Sequence, residues 1–147
     1  MTFKNENAKK FIKALENIPT AKVGVLSGKN SREDSNSNAT IGLKHEMGIG
    51  VAKRSWLRMP LILKYDEYLR QAGFNEDKVI EQIIEGASFK EMVAKMGIIG
   101  VTVIQDAFST GGFGKWKPHA KGYTNNTGMI LVDTQQLRNS IISQVEE

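Results

Sequence analysis

The chain has 147 residues, enough for one domain with a real core and too few for two of ordinary size. Its 40% hydrophobic and 24% charged residues are ordinary for a globular protein and exclude wholesale disorder, while the lack of cysteine excludes disulfides, thiolate nucleophiles and thiolate metal sites. The net charge of +4, with a pI near 9.3, is dispersed over Lys9, Lys10, Lys13, Lys53, Arg54, Arg58, Lys115, Lys117 and Lys121, which predicts a solvated or ring-lining basic surface ahead of a dedicated nucleic-acid face.

Met1 to Lys13 alternates charges with apolar residues and lacks the apolar run of a secretory leader, so a cytoplasmic site of assembly is expected. Ala8, Phe11, Ile12 and Leu15 recur at helical spacing and predict a helix over residues 5–17, stopped by Pro19. Residues 21–27 read as a short strand with Val23 and Val25 on one face. The run Gly28 to Asn38 contains no apolar residue and is expected to be a mobile loop, because burial cannot offset its ordering entropy. Asn38 stands where it would cap a helix over residues 39–47, ended by Gly48. Pro60 fits the first turn of a helix running to about Ala72, with Tyr65, Tyr68 and Leu69 on its apolar face and Gly73 closing it.

Residues 75–85 predict a further helix that turns Val79, Ile80, Ile83 and Ile84 inward. The longest candidate spans residues 88–108, opened by the capping-box pair Ser88 and Glu91. Lys95, Gln105 and Asp106 interrupt its apolar run, so a membrane span is not expected. Gly97 and Gly100 cost about 1 kcal/mol each against alanine inside a helix, and close approach of another backbone is the natural compensation. Residues 110–128 form a long glycine-rich and polar connection holding Trp116 and Pro118, and residues 129–132 suit a short strand or loop anchor. Leu137, Ile141 and Val145 then suit either a strand or a short helix, which periodicity does not separate.

Few motifs invite chemistry. His45-Glu46 begins like a zinc-protease helix, but Ile49 stands where the second histidine belongs, and His119 lies far away in a loop. The pair instead suits a structural role, capping a helix end or bonding a backbone group. Gly111 to Lys115 imitates a phosphate loop, yet Trp116 replaces the required serine or threonine and a helix precedes it. Ser140, Asp133 and His119 make a nominal triad with no glycine-flanked elbow around the serine. Asp133 and Thr134 are better suited to tightening the turn before Leu137. No cofactor, metal or catalytic set is assigned. Arg54, Trp56 and Arg58 alternate, so on an extended segment they share one face, and such residues often dominate subunit contacts or stack on single-stranded nucleic acid.

Two separated stretches, Ile41-Gly-Leu-Lys-His45-Glu46-Met47-Gly48 with Arg54-Ser-Trp56-Leu-Arg58, and Leu131-Val-Asp133-Thr134-Gln-Gln-Leu137-Arg-Asn-Ser140-Ile141, resemble the bacteriophage virion-morphogenesis family of tail-completion and neck proteins. The resemblance extends from Val23 to Val145, with landmarks in the same order. Met47 departs from the aromatic residue expected there, and Gln135 departs from glycine. If that glycine uses positive φ, Gln135 is strained or the turn differs. The resemblance implies an α+β domain, a small mostly antiparallel or mixed sheet against several helices, with a strand after Ser140. It also implies a virion structural protein at the head–tail junction, assembled in the host cytoplasm in rings of about six copies through heterologous contacts. Its partners would be copies of itself, the tail tube or terminator, and head-completion or connector proteins. DNA would pass through the lumen without specific binding, and no membrane would be involved. A basic DNA-binding module using Arg54, Trp56 and Arg58 is the alternative; an enzyme lacks a self-consistent site.

Overall fold

The computed structural model describes residues 5–26, 37–123 and 135–147. In chain order these form α1 (Asn5–Leu15), β1 (Thr20–Val25), α2 (Asn38–Met47), α3 (Arg58–Gln71), α4 (Glu76–Ile84), α5 (Phe89–Thr110), α6 (Gln136–Asn139) and β2 (Ile141–Glu146). The two strands pair antiparallel, from Thr20 opposite Glu146 to Val25 opposite Ile141. The class is α+β, as the sequence predicts. Residues 28–36, which carry most of the expected loop, and residues 129–134, with the expected anchor and Asp133-Thr134, lie outside the described residues.

The inner face of the strand pair meets α5 at the two glycines. A Cβ placed on Gly97 would lie 3.0 Å from the Cβ of Ser143 and 3.3 Å from that of Ala21. One on Gly100 would lie 3.2 Å from Val23 Cγ2. The intrahelical glycines therefore let the sheet approach more closely than larger residues allow, which offsets their poor helix propensity. An adjoining face of α5 receives α3, strapped down by two phenols, with Tyr65 and Val23 both reaching Gly100. Tyr65 Oη donates to the carbonyl of Met96 at 2.9 Å, and Tyr68 Oη donates to Asp106 Oδ2 at 2.6 Å. The Asp106 hydrogen bond, aided by burial, pushes the Tyr68 hydroxyl up to about 12.

Covered by the sheet and by α3, α5 supplies the centre of the molecule: Val103, Ile104, Ala107 and Phe108 are fully buried. It is also long and apolar enough to cross a membrane by length and composition alone, but here it serves as the core helix. At its C-terminal end Trp56, Ile104, Phe108, Leu137 and Ile141 close into one apolar cluster. By contrast, α1 leans on α4 without burying any residue; Ile12 and Leu15, whose spacing predicts the helix, stay exposed.

Helix ends follow local chemistry with two corrections. Ser37, not Asn38, caps α2, its Oγ accepting from Thr40 N at 3.1 Å, while Asn38 is buried inside the first turn. The last two residues of the polar run therefore belong to a helix start. The C-terminal ambiguity resolves into both alternatives, since α6 carries Leu137 inward and then breaks into β2 at Ile141. As expected, Gly48 ends α2 in the left-handed region at φ 74°; Asn75, read as the first residue of its helix, instead caps α4 with its side chain. Ser88 caps α5 through a long 3.5 Å bond from Glu91 N.

Gln135 enters α6 with φ 60°, a conformation that costs a side-chain-bearing residue about 1–2 kcal/mol. The strain anticipated for a non-glycine residue at this position is present. Gln135→Gly is accordingly expected to raise unfolding stability by about 1 kcal/mol, read as a higher denaturation midpoint at unchanged slope; a lowered midpoint would contradict the strain.

Candidate functional site

The residues singled out in the sequence meet around one carboxylate. Helix α3 begins without a capping side chain of its own, because Leu57 occupies its cap position in helical geometry. Its first N–H groups would be left unsatisfied. Glu46, in the last turn of α2, supplies what is missing. Its Oε2 accepts from Trp56 N at 2.8 Å and Leu57 N at 3.0 Å. Its Oε1 accepts from Ser55 Oγ at 2.7 Å and, more weakly, from Arg58 N at 3.4 Å. Ser55 Oγ in turn accepts from Met59 N at 3.0 Å. A negative charge at a helix N-terminus also interacts favourably with the helix dipole. Capping by Glu46 matches the structural role expected of the His45-Glu46 pair, although the capped helix is not its own.

The segment between the two helices is irregular, not an extended strand, so Arg54, Trp56 and Arg58 do not share a face. Trp56 is 4% exposed, its Nε1 donating to the carbonyl of Gly42 at 2.7 Å. A Cβ on Gly42 would lie 2.7 Å from the Trp56 ring, so the glycine is what admits the indole against α2. Arg54 is 9% exposed and donates from Nε and Nη2 to the carbonyls of Lys117 and Pro118, each at 2.8 Å. Its backbone N–H is held by the carbonyl of His45 at 2.8 Å. Only Arg58 of the three is open to solvent. The expected subunit contact, and equally the stacking of Trp56 on a nucleobase, requires side chains that this fold encloses. Arg54 and Trp56 are therefore engaged by their own chain, and Arg58 remains open for a contact.

Trp116 completes the arrangement and was not singled out by motif. Its Nε1 donates to the carbonyl of Ser55 at 2.9 Å, and its ring meets Phe108 edge-on at 5.4 Å, while Trp56 lies on Phe108's other contact at 6.1 Å. The turn Gly111 to Gly114 allows this return. Gly111 ends α5 in the left-handed region, and a Cβ at Gly112 would collide with the Trp116 ring. The loop that imitates a phosphate site thus closes a helix C-terminus, where carbonyls rather than N–H groups face outward. A tryptophan soon after consecutive glycines is the sequence signal that could have marked it.

The remaining polar groups are similarly engaged in structure. Ser140 is 3% exposed and its Oγ donates to the carbonyl of Leu137 at 2.6 Å, which closes α6. Leu137 Cδ1 would lie 3.3 Å from a Cβ on Gly42, so the C-terminal motif packs on the same point as Trp56. His119 stacks on Tyr123 at 5.1 Å. Burial, and then the nearby Arg54 charge, hold the His45 imidazole below its ordinary value of 6.5. Its Nδ1 is buried without a hydrogen-bond partner. Among the described residues no group of three His, Asp or Glu side chains could hold a metal ion.

Comparison with protein-family models, with curated proteins and with solved structures gives no match to this chain. The family resemblance rests on the motif residues themselves.

Two outcomes follow from the geometry. Glu46→Ala should cost about 2–3 kcal/mol of stability by stripping the α3 cap, and Glu46→Gln, which keeps an acceptor oxygen, roughly half of that; denaturant unfolding of the two variants measures both, and an unchanged Glu46→Ala midpoint would refute the cap. For His45 the folded pKa lies below the unfolded one, so the unfolded chain binds the proton more readily. Stability should therefore be full above about pH 6.5 and fall as pH drops from there toward the folded-state value, and His45→Gln should flatten this part of the melting-temperature profile.

Proposed function

We propose that this chain is a structural protein of a tailed-phage virion, completing the head-proximal end of the tail or joining head to tail, and that it acts by ring assembly without catalysis. The observation that carries the reading is the convergence of its resemblance-bearing residues. Glu46, Gly48, Ser55, Trp56, Leu137 and Ser140 come from two stretches about ninety positions apart in a chain of 147. They nevertheless belong to one packed unit, in which Glu46 caps α3, Trp56 bonds α2, and Leu137 packs on both. Residues that recur together for architectural reasons are expected to track a fold, and the fold is what the resemblance implies.

The chemistry supports the same reading. Arg54 and Ser140 direct their polar atoms to backbone carbonyls of their own chain, and Glu46 and Ser55 bond backbone N–H groups and each other, which suits a scaffold that must keep its shape under load. A role in the virion needs complementary outer surfaces and a lumen that lets DNA pass, with copies of the chain, the tail tube or terminator, and head-completion or connector proteins as partners. Assembly would take place in the host cytoplasm.

Particles made without the protein test the proposal directly. Electron microscopy is expected to show filled heads and tails that fail to join or tails with ragged head-proximal ends; normally joined virions would overturn the assignment.

A further inference from the structure

Two sets of charges have no ion pair among the described residues, and they sit at opposite ends of α5. Near Phe108, the bonds from Arg54 and Trp116 tie residues 53–58 to residues 115–118. This gathers Lys53, Arg58, Lys115 and Lys117, all exposed, around one corner. No acidic side chain occurs from Met47 to Tyr65 or from Ala107 to Tyr123, and the adjoining Glu46 is taken up by the α3 cap. At the other end α4 leads into the start of α5. It exposes Glu76, Asp77 and Glu81, with Glu85 at its C-cap, against the single Lys78. The ion pairs formed elsewhere, Lys22–Glu146, Lys64–Glu67, Arg70–Asp66 and Lys90–Glu147, involve none of these groups.

With a rise of about 1.5 Å per residue, the 22 residues of α5 hold the two ends roughly 33 Å apart, so one copy cannot bring them together. A second copy can. The cationic corner also exposes Ile49 at 55% and Val51 at 41%, beside Lys53. Aliphatic side chains gain nothing against the phosphates of DNA, whereas a protein surface can cover them. Beside α4, α1 leaves Ile12 59% exposed and Ile18 52% exposed, which gives the acidic end apolar surface of its own. At this end α1 also brings Lys9, Lys10 and Lys13, and Glu16 and Glu91 lie exposed nearby, so the dense run of acids against a single lysine is that of α4.

We propose that the corner bearing Lys53, Arg58 and Lys117 around Ile49 and Val51 docks on the acidic α4 of a second copy, Glu76, Asp77, Glu81 and Glu85. The inference rests on the ring reading and names its contact. The two patches differ, so the contact is heterologous and propagates around a ring instead of closing a symmetric pair. Opposite charges fix orientation and partner choice, and the exposed aliphatic groups supply the apolar contribution.

Charge exchange tests it on the full chain. Variant one carries Lys53→Glu and Lys117→Glu; variant two carries Glu81→Lys and Glu85→Lys. All four positions are exposed and make no ion pair, so both variants should fold, with circular dichroism as the check. Sedimentation velocity on the wild type, up to about 1 mM, should show association that weakens with added salt. Each variant alone should associate at least about tenfold more weakly, because like charges then oppose each other. Their equimolar mixture should recover association, since every contact in an alternating array is again complementary. Variants that associate like the wild type would overturn this contact while leaving the ring reading intact. A wild type that stays monomeric throughout would overturn the contact too, with the ring then judged by the particles lacking the protein. Retention of duplex DNA by a monomeric wild type, lost in variant one, would reassign the corner to a polyanion.

Discussion

The fold depends on one carboxylate doing for α3 what α3 cannot do for itself. A helix that starts with Leu57 at its cap has no capping side chain there; Ser55 Oγ accepts from Met59 N, and Glu46 reaches in from a neighbouring helix to accept from the N–H groups of Trp56, Leu57 and Arg58 and from the Ser55 hydroxyl. Because the acceptor sits on another element, capping and tertiary packing are a single event. The intervening turn is fixed as a result: Trp56 is delivered against Gly42 and Phe108, and Arg54 toward the carbonyls at residues 117 and 118. A local deficiency in one helix thereby specifies how three segments of the chain come together.

Where sequence reasoning succeeded, the determinant was local. Helix periods, the Ser88 cap, the stop at Gly48 and the compensation for Gly97 and Gly100 each depend on residues within a turn or on one steric rule. The unease about Gln135 was likewise local, a question of φ. Where it failed, the determinant was distant. Alternation of Arg54, Trp56 and Arg58 suggests a shared face only if the backbone is extended; Glu46 bends that backbone into a helix start. Nothing near Arg54 announces that its guanidinium will be satisfied by carbonyls 63 and 64 positions later. Ile12 and Leu15 show a further limit: their spacing marks the helix, yet its apolar side remains uncovered in the single chain.

The distribution of polar groups is instructive for the proposed role. Around the Glu46 cap, charge and hydroxyl are matched within the chain; outside it, the exposed cations near Phe108 and the exposed acids of α4 lie at opposite ends of α5. Internal groups that are already satisfied resist deformation, while external ones left open can answer a neighbour. A ring component under the proposed arrangement would draw on both properties, and neither requires a reactive centre.

The strand pair joins residues 20–25 to residues 141–146 across nearly the whole of the chain, and α5 lies against both strands. During translation the sheet-facing side of that helix therefore stays bare until β2 emerges from the ribosome. Contacts of such wide separation form slowly and leave apolar surface open to wrong associations meanwhile. Nascent chains of this protein thus have a vulnerable interval set by strand order alone, and their yield in a crowded cell would depend on how quickly β2 follows α5.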